Sequence, residues 1–376
     1  MNTSKLLIRG AAVAALVLAS QLSNSAQLFV AQVTALSGLE AVQGRAYSAG
    51  LQMALTNANK AGGVAGHTFT LVRKDDGGRP EDTLTATTQL LVESKPIALA
   101  GYAGNRSITE LLKSGVLAKE KIALVGYRTI DIQPDTPYLY NVRAGLRDEI
   151  NKIADHFVTV GIKRLGLLHE DSVNAAALNA AVEDITKRTG ATIVARATYP
   201  AGTTRVSPAI ESFLKTPPQA IIMLATGSAA AGFIEQYRIA GGAAQLFAQS
   251  NADIEQLAQR LGEETMKGTS IAQVTPSPYK VSGLLSREFA DAVAKAGKLE
   301  VPPSYAMMEG YIAGKVIVEA ARRMGAKASR EGFVAALDTI DNYDMGGYRV
   351  GYKPGQRGGS KFVEMSIVTG AGKIRQ

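Results

Sequence analysis

The chain has 376 residues, 46% of them hydrophobic, and a formal net charge of +8. It has no cysteine, which excludes disulfides and argues against a lipid-modified cysteine as a membrane tether. Its 41 lysines and arginines are scattered without a dense basic stripe, so we expect no nucleic-acid partner. A chain of this length is too long for one small core and predicts two domains.

The first 26 residues have the features of a secretory signal peptide. Lys5 and Arg9 give a basic start, a short apolar run follows, and Ser25 and Ala26 offer a small-residue cleavage site. The apolar run is shorter than the roughly 20 residues that cross a bilayer. We therefore predict removal of residues 1–26 and a periplasmic protein that is not embedded in a membrane. A buried N-terminal helix is the alternative.

After this segment, short apolar strands alternate with amphipathic helices. Continuous apolar runs such as Leu28–Thr34, Ile97–Gly101 and Ala220–Ala225 predict parallel strands that helices cover on both faces. With right-handed crossovers, the expected fold class is α/β with two Rossmann-like lobes.

Two strand–helix series divide the chain, and three further helices and two β-like stretches follow them. No low-complexity linker separates the series, which predicts strand-like crossings between the lobes. Asn141–Gly145 and Gln273–Pro278 are candidates for two crossings. The predicted lobes are residues 27–142 with about 275–340, and residues 143–274 with about 341–376.

Enzyme motifs are absent from the chain. It lacks the sequence patterns of serine hydrolases, zinc peptidases and phosphate-binding loops. Its histidines, among them His169, lack partners at metal-ligand spacing, so we expect no enzyme, no metal and no cofactor. A secreted enzyme that uses His169, Glu170 or Asp171 as an acid or base is the less favoured alternative.

Candidate binding residues lie in the loops after strands, because ligands of open α/β sheets bind at the carboxyl ends of the strands. Several loops combine small residues, a hydroxyl or amide group and a helix start, where free N–H groups suit a carboxylate. The candidates are Ser37, Tyr102, Asn105, Tyr127, Arg128, Thr129, His169, Glu170, Thr226, Gly227, Asn251 and Asp253. Ordinary helix capping is the alternative for Asn105 and Asp253.

Arg128 is distinctive because a guanidinium among small loop residues can clamp a carboxylate, although a surface arginine is the alternative. Tyr102 and Tyr127 are candidates for the walls of the site. Glu309 follows Tyr305 by four residues on a predicted helix and shares its apolar side. It is either an inward acceptor for an ammonium group or a solvated glutamate at the rim.

Four segments also carry a resemblance to a known family. They are NANKAGGVAGHTFTLVRKDDGGRPE at 57–81, ALAGYAGNRSI at 98–108, VTPSPY at 274–279 and MEGYIAGKVIVEAARRMG at 308–325. The chain resembles the periplasmic solute-binding proteins of branched-chain amino-acid-type ABC importers, the leucine-binding protein family with the type I periplasmic binding protein fold. The resemblance covers essentially the whole mature chain. It implies two lobes that are joined by three hinge crossings and close around one small ligand.

The resemblance also implies where a ligand binds. In the family, the ligand's carboxylate and ammonium contact the loops after the third and fourth strands, which here match Asn105 and Tyr127–Thr129. The second lobe contributes at positions that match His169–Val173, Thr226–Ser228 and Asn251–Asp253.

The chain departs from the family at two of these loops. Tyr102-Ala103-Gly104-Asn105 replaces a run of serines, and Tyr127-Arg128 replaces small residues, so we expect a ligand other than leucine, isoleucine or valine. The expected function is capture of a small carboxylated metabolite, an amino acid or another organic acid, for an inner-membrane ABC permease. A monomer is expected. A periplasmic sensor of the same fold, which acts on a membrane receptor, is the alternative.

Overall fold

The structure is a computed structural model that describes residues 26–368 and 374–375. It contains two lobes, each built on a sheet of parallel strands with helices on both faces. This confirms the predicted α/β class. The predicted signal peptide lies outside the described residues except for Ala26, which is the first residue of strand β1.

The first lobe has a five-stranded parallel sheet in the order β2-β1-β3-β4-β5. Its strands are β1 (Ala26–Thr34), β2 (His67–Asp75), β3 (Ala98–Ala103), β4 (Ala123–Arg128) and β5 (Leu139–Tyr140). Its N-terminal helices are α1 (Ala41–Lys60), α2 (Pro80–Glu93), α3 (Asn105–Lys113) and α4 (Val116–Lys119).

The second lobe has a seven-stranded sheet in the order β15-β14-β10-β9-β8-β6-β7, in which β6 to β10 run parallel. These strands are β6 (Arg164–Glu170), β7 (Thr192–Tyr199), β8 (Ala220–Leu224), β9 (Gln245–Ala248) and β10 (Thr269–Gln273). The helices are α5 (Leu146–Val160), α6 (Ala175–Thr189), α7 (Ser207–Lys215), α8 (Gly227–Ile239), the 3₁₀ turn Ser250–Ala252, α9 (Ile254–Arg260) and α10 (Glu263–Met266).

The C-terminal segment returns to the first lobe and then adds an edge to the second. Three helices pack on the first lobe: α11 (Leu284–Lys295), α12 (Tyr305–Met324) and α13 (Arg330–Asp338). The strands β14 (Glu364–Val368) and β15 (Ile374–Arg375) extend the second sheet in antiparallel pairing.

Each lobe has two cores because alternate strand residues face opposite sides of the sheet. In β1, Val30 packs with helices α1 and α12, whereas Ala31 packs with α2 and α3. In the second lobe, Ile221 and Ile222 of β8 likewise pack in the two different cores. Both faces of each sheet are therefore covered, which leaves the loops at the strand ends as the places for polar chemistry.

One part of the predicted lobe division is wrong. The sequence assigns residues 341–376 to the second lobe, but their first three strands form a separate antiparallel sheet against the first lobe. These strands are β11 (Tyr343–Asp344), β12 (Arg349–Lys353) and β13 (Gln356–Gly359). Tyr348 and Tyr352 are buried in the first lobe's core. Alternation in the sequence indicates a strand with one apolar face, but not which lobe covers that face.

Three crossings join the lobes, as the resemblance implies. They are residues 141–145 between β5 and α5, residues 274–283 between β10 and α11, and residues 360–363 between β13 and β14. The Tyr348 hydroxyl lies 2.8 Å from the carbonyl oxygen of Val142 and 3.0 Å from that of Val274, so it bridges the first two crossings.

Helices α1 and α12 approach unusually closely in the first lobe. A Cβ atom at Gly310 would lie 2.0 Å from the Tyr47 carbonyl oxygen, and one at Gly50 would lie 1.9 Å from the Met307 carbonyl oxygen. Only glycine permits this contact. The close approach fixes the position of helix α1, whose first two turns face the space between the lobes.

Candidate functional site

A cavity of about 220 Å³ lies between the lobes at the carboxyl ends of the strands. Thr34 at the end of β1 and Arg128 at the end of β4 line it from the first lobe. Glu170 at the end of β6 and Asn251 after β9 line it from the second lobe. The cavity is therefore where the topology of two parallel sheets predicts a ligand site.

Half of the residues predicted from the sequence line this cavity. They are Asn105, Arg128, Thr129, Glu170, Thr226 and Asn251. All lie at the end of a strand or in the loop that follows it, which is how they were selected from the sequence.

The prediction that Tyr102 and Tyr127 form walls of the site is not met, because both rings pack in the core beneath helices α2 and α3. The Tyr102 hydroxyl lies 2.9 Å from Thr87 Oγ1. Simple alternation would place Tyr127 on the opposite face, but Gly126 has a φ of +72° and reverses the alternation. Gly101, with a φ of +68°, does the same for Tyr102.

Four other predicted residues also lie outside the cavity lining. Ser37 is exposed, and its N–H donates to Asp75 Oδ1. His169 is buried with Nδ1 2.9 Å from the Glu170 carbonyl oxygen. Asp253 caps helix α9 by accepting from the Gln256 N–H. Gly227 begins α8, and a Cβ atom there would lie 2.3 Å from the Oε1 of Gln256.

The sequence analysis missed several lining residues. Gln43 and Tyr47 come from the first two turns of helix α1, Ser107 comes from helix α3, and Glu40 directly precedes α1. Glu40 lies in the loop after the first strand, so the search for candidates in loops after strands could have identified it. Tyr47 lies too far along its helix for that search.

Hydrogen bonds across the cavity hold the lobes in contact. Asn105 Nδ2 donates to Glu170 Oε2 at 3.2 Å, and Gln43 Nε2 donates to the Asn251 carbonyl oxygen at 3.2 Å. The Ser228 N–H, at the start of helix α8, donates to Glu40 Oε1 at 3.2 Å. The described conformation is therefore closed around the cavity.

Buried charges lie at the base of the cavity. Arg143, on the first crossing, lies 2.6 Å from Glu149 and 3.4 Å from Glu309. Its Nη1 also donates to Asn251 Oδ1 at 2.6 Å. Burial opposes the charge of Arg143, but the two carboxylates outweigh it and raise the pKa of Arg143 above its ordinary value. The cluster thus ties the crossing to both lobes.

Arg128 is more loosely paired than Arg143. Its Nε lies 3.8 Å from Glu309 and 3.4 Å from Asn251 Oδ1, and its Nη2 donates to the Ser250 carbonyl oxygen at 3.3 Å. Its Nη1 is buried without a hydrogen-bond partner among the described residues, as are Tyr47 Oη and Glu309 Oε1. A buried donor without a partner costs free energy, so Arg128 Nη1 and Tyr47 Oη are positions where a ligand acceptor would be stabilised.

Comparison with known proteins places this architecture. The family model described as periplasmic binding protein matches residues 27–368. The chain belongs to the periplasmic binding protein family. A solved substrate-binding periplasmic protein from Ralstonia solanacearum is 35% identical, with a TM-score of 0.85 over 93% of this chain and 99% of that one.

More distant members of the same fold also align along nearly the whole chain. A leucine-binding protein from Thermotoga maritima has 18% identity and a TM-score of 0.78, covering 93% of this chain and 98% of that one. A solute-binding protein from R. palustris, solved in complex with benzoate, has 16% identity and a TM-score of 0.76, covering 93% and 95%. No curated protein matches the chain.

The periplasmic binding protein family and these neighbours are substrate-binding proteins and not enzymes. Within residues 26–368 and 374–375, no three histidine, aspartate or glutamate side chains cluster in a way that could hold a metal ion. In the same part of the chain, no helix is long and apolar enough to span a membrane. The cavity between the lobes is accordingly the candidate binding site.

Proposed function

We propose that this protein is the periplasmic substrate-binding component of an ABC transporter, exported by a signal peptide at residues 1–26. It captures a small carboxylated metabolite between its lobes and delivers it to an inner-membrane permease. The observation that carries the proposal is the buried Arg128 guanidinium in the cavity lining, with Nη1 unpaired among the described residues.

The surroundings of Arg128 favour an anion. Helix α3 begins beside it, and the Gly104 N–H donates to the Arg128 carbonyl oxygen at 2.9 Å. No side chain caps this helix, so its first N–H groups and its positive dipole end are available at the cavity. A guanidinium next to a helix N-terminus is suited to bind a carboxylate.

Closure of the lobes provides the capture step. The bonds from Asn105 to Glu170 and from Gln43 to Asn251 form only when the lobes meet. A ligand that contacts both lobes therefore stabilises the closed state relative to the open one. We expect the permease to recognise this closed shape and the protein to act as a monomer.

A thermal-shift screen tests the proposal. Protein purified from the periplasm is heated with organic acids, amino acids, amines and neutral metabolites. Binding to the folded state raises the melting temperature by mass action, by several degrees at saturating ligand. We expect carboxylates to give the shifts and Arg128→Ala to abolish them, with Arg128→Lys intermediate.

The matched control is Arg349→Ala, which removes an exposed arginine paired with Asp344 outside the cavity. It should leave the ligand-induced shifts unchanged. Circular dichroism of unliganded Arg128→Ala shows whether that variant is folded. Stabilisation by amines or neutral compounds alone would contradict the proposal.

A further inference from the structure

The cavity offers unsatisfied hydrogen-bond donors. Arg128 Nη1 and Tyr47 Oη are both buried, and each lacks a hydrogen-bond partner among the described residues. The Tyr47 ring packs against Gly126, where a Cβ atom would lie 2.2 Å from Tyr47 Oη. Gly126 precedes Arg128 by two residues on β4, and both Tyr47 and Arg128 line the cavity. Two donors on residues that line one cavity can contact the two oxygens of one carboxylate.

The carboxylates in the cavity lining are already engaged. Glu40 accepts from the Ser228 N–H through Oε1 and from Gln43 Nε2 through Oε2, at 3.2 and 3.1 Å. Burial raises the pKa of Glu40 above its ordinary value. The bond from Ser228 also joins the lobes, so an ammonium group that took over Glu40 would weaken closure.

Glu170 is occupied in the same way. Its Oε2 accepts from Asn105 Nδ2 and from the Ser172 hydroxyl, and its Oε1 accepts from the Gly202 N–H at 3.1 Å. Each oxygen of this carboxylate therefore has a donor. An ammonium group would therefore have to share the oxygens of both lining glutamates with donors that are already in place.

Glu309 does not serve as an alternative acceptor. Its Oε1 is unpaired, but the side chain is 2% exposed and lies against the guanidinium groups of Arg128 and Arg143 at 3.8 and 3.4 Å. An ammonium group placed there would be repelled by two cations.

The rest of the lining is mainly apolar, with Ala35, Leu39, Pro80, Ala103 and Ile130 around the cavity. We infer that the ligand is a carboxylic acid with an apolar body and no α-ammonium group, held by Arg128 Nη1 and Tyr47 Oη. This inference rests on the proposed function and narrows it: the site discriminates against amino acids.

Matched ligand pairs test the inference on the unmodified protein. L-Leucine and isocaproate differ only in the ammonium group, as do L-phenylalanine and hydrocinnamate. Titration calorimetry should give the deaminated acid of a pair an affinity at least about tenfold higher, since its partner must bury an ammonium group among acceptors that already have donors. An amino acid that binds as tightly as its deaminated counterpart, or more tightly, would overturn the inference and leave the proposed function intact. If no acid of either pair or of the wider screen binds, the proposed function fails as well.

Tyr47→Phe tests the second anchor. The ring volume is kept and a buried hydroxyl without a partner is removed, so the melting temperature of the unliganded protein should not fall. Affinity for the preferred deaminated acid should drop about tenfold, with no matching loss for its primary amide. Equal affinity of Tyr47→Phe and the unmodified protein for the acid would show that the Tyr47 hydroxyl does not bind the carboxylate.

Discussion

At the scale of single residues, the buried ions determine how the lobes meet. Arg143 and Arg128 face Glu149 and Glu309, so the four charges cancel inside the protein. Arg143 stands on a crossing, and Glu149 and Glu309 stand on different lobes. The cluster is therefore neutral only when both lobes are in place around the crossing.

Removal of Arg143 should be costly for this reason. Arg143→Met leaves two carboxylates buried without their main partner, and the free energy of unfolding should fall by about 3–5 kcal/mol. Chemical denaturation measures the loss. Arg349→Ala, which breaks the exposed pair with Asp344, should cost less than about 1 kcal/mol. Similar losses for both variants would show that the buried Arg143 cluster contributes no more to stability than an exposed ion pair.

The buried side chain of Glu255 predicts that the stability of the protein depends on pH. It accepts from the Tyr305 N–H at 2.8 Å and from the Tyr279 hydroxyl, so it links α9 of the second lobe to the start of α12 in the first. Burial, with a smaller contribution from Asp253, raises the pKa of Glu255 to about 8.

Because the folded protein holds this proton more tightly than the unfolded chain, the contribution of Glu255 to stability is fully present below about pH 4.5 and is lost as pH rises through about 8. We expect the melting temperature to fall by a few degrees over this range and Glu255→Gln to flatten that part of the profile. A melting temperature that rises with pH over the same range in the unmodified protein, but not in Glu255→Gln, would contradict the assignment.

At the scale of elements, the glycine contact between α1 and α12 positions the site. Gly310→Ala puts a methyl group 2.0 Å from the Tyr47 carbonyl oxygen, which forces the helices apart. We expect a loss of about 1–3 kcal/mol in the free energy of unfolding and weaker ligand binding, since Tyr47 lines the cavity.

The control for this variant is Gly232→Ala in helix α8. A Cβ atom there has no neighbour closer than 3.8 Å, so alanine should be neutral or stabilising by about 0.5–1 kcal/mol. An unchanged stability of Gly310→Ala would show that the helices can separate at little cost.

The elements also show what the sequence could predict. Apolar runs such as Ala220–Leu224 indicate buried parallel strands, and the ends of such strands led to Asn105, Arg128, Glu170 and Asn251, which line the cavity. The rule failed where local backbone geometry intervened. Gly126 reverses the alternation of β4 and sends Tyr127 into the core, and a positive φ is not readable from a glycine alone.

Two further features depend on tertiary packing. Tyr47 reaches the cavity because Gly310 and Gly126 make room for its backbone and its hydroxyl, and these residues are far from it in the sequence. Tyr348 and Tyr352 are buried on the first lobe, although the chain around them precedes two strands of the second. The neighbouring sequence does not predict either of these positions.

At the scale of the whole molecule, the crossings form a connected hinge. Tyr348 bridges the first two crossings, and the Asn141 N–H donates to the Arg357 carbonyl oxygen beside the third. The hinge is therefore tied to the small antiparallel sheet of the first lobe.

Loss of the Tyr348 hydroxyl tests this arrangement. Tyr348→Phe leaves the Val142 and Val274 carbonyl oxygens without that donor and should lower the free energy of unfolding by about 1–3 kcal/mol. Tyr237→Phe, which removes a buried hydroxyl with only a 3.4 Å contact to the Ala244 N–H, should cost less. A larger loss for Tyr237→Phe would argue against the bridging role.

We propose that the cavity between the lobes binds a carboxylate through Arg128. Titration calorimetry with the acid that gives the largest thermal shift, and with its primary amide, tests it most directly. The amide keeps the shape and removes the charge, so we predict binding of the acid and at least about hundredfold weaker binding of the amide. Equal affinities for the acid and the amide would contradict binding of the carboxylate by Arg128.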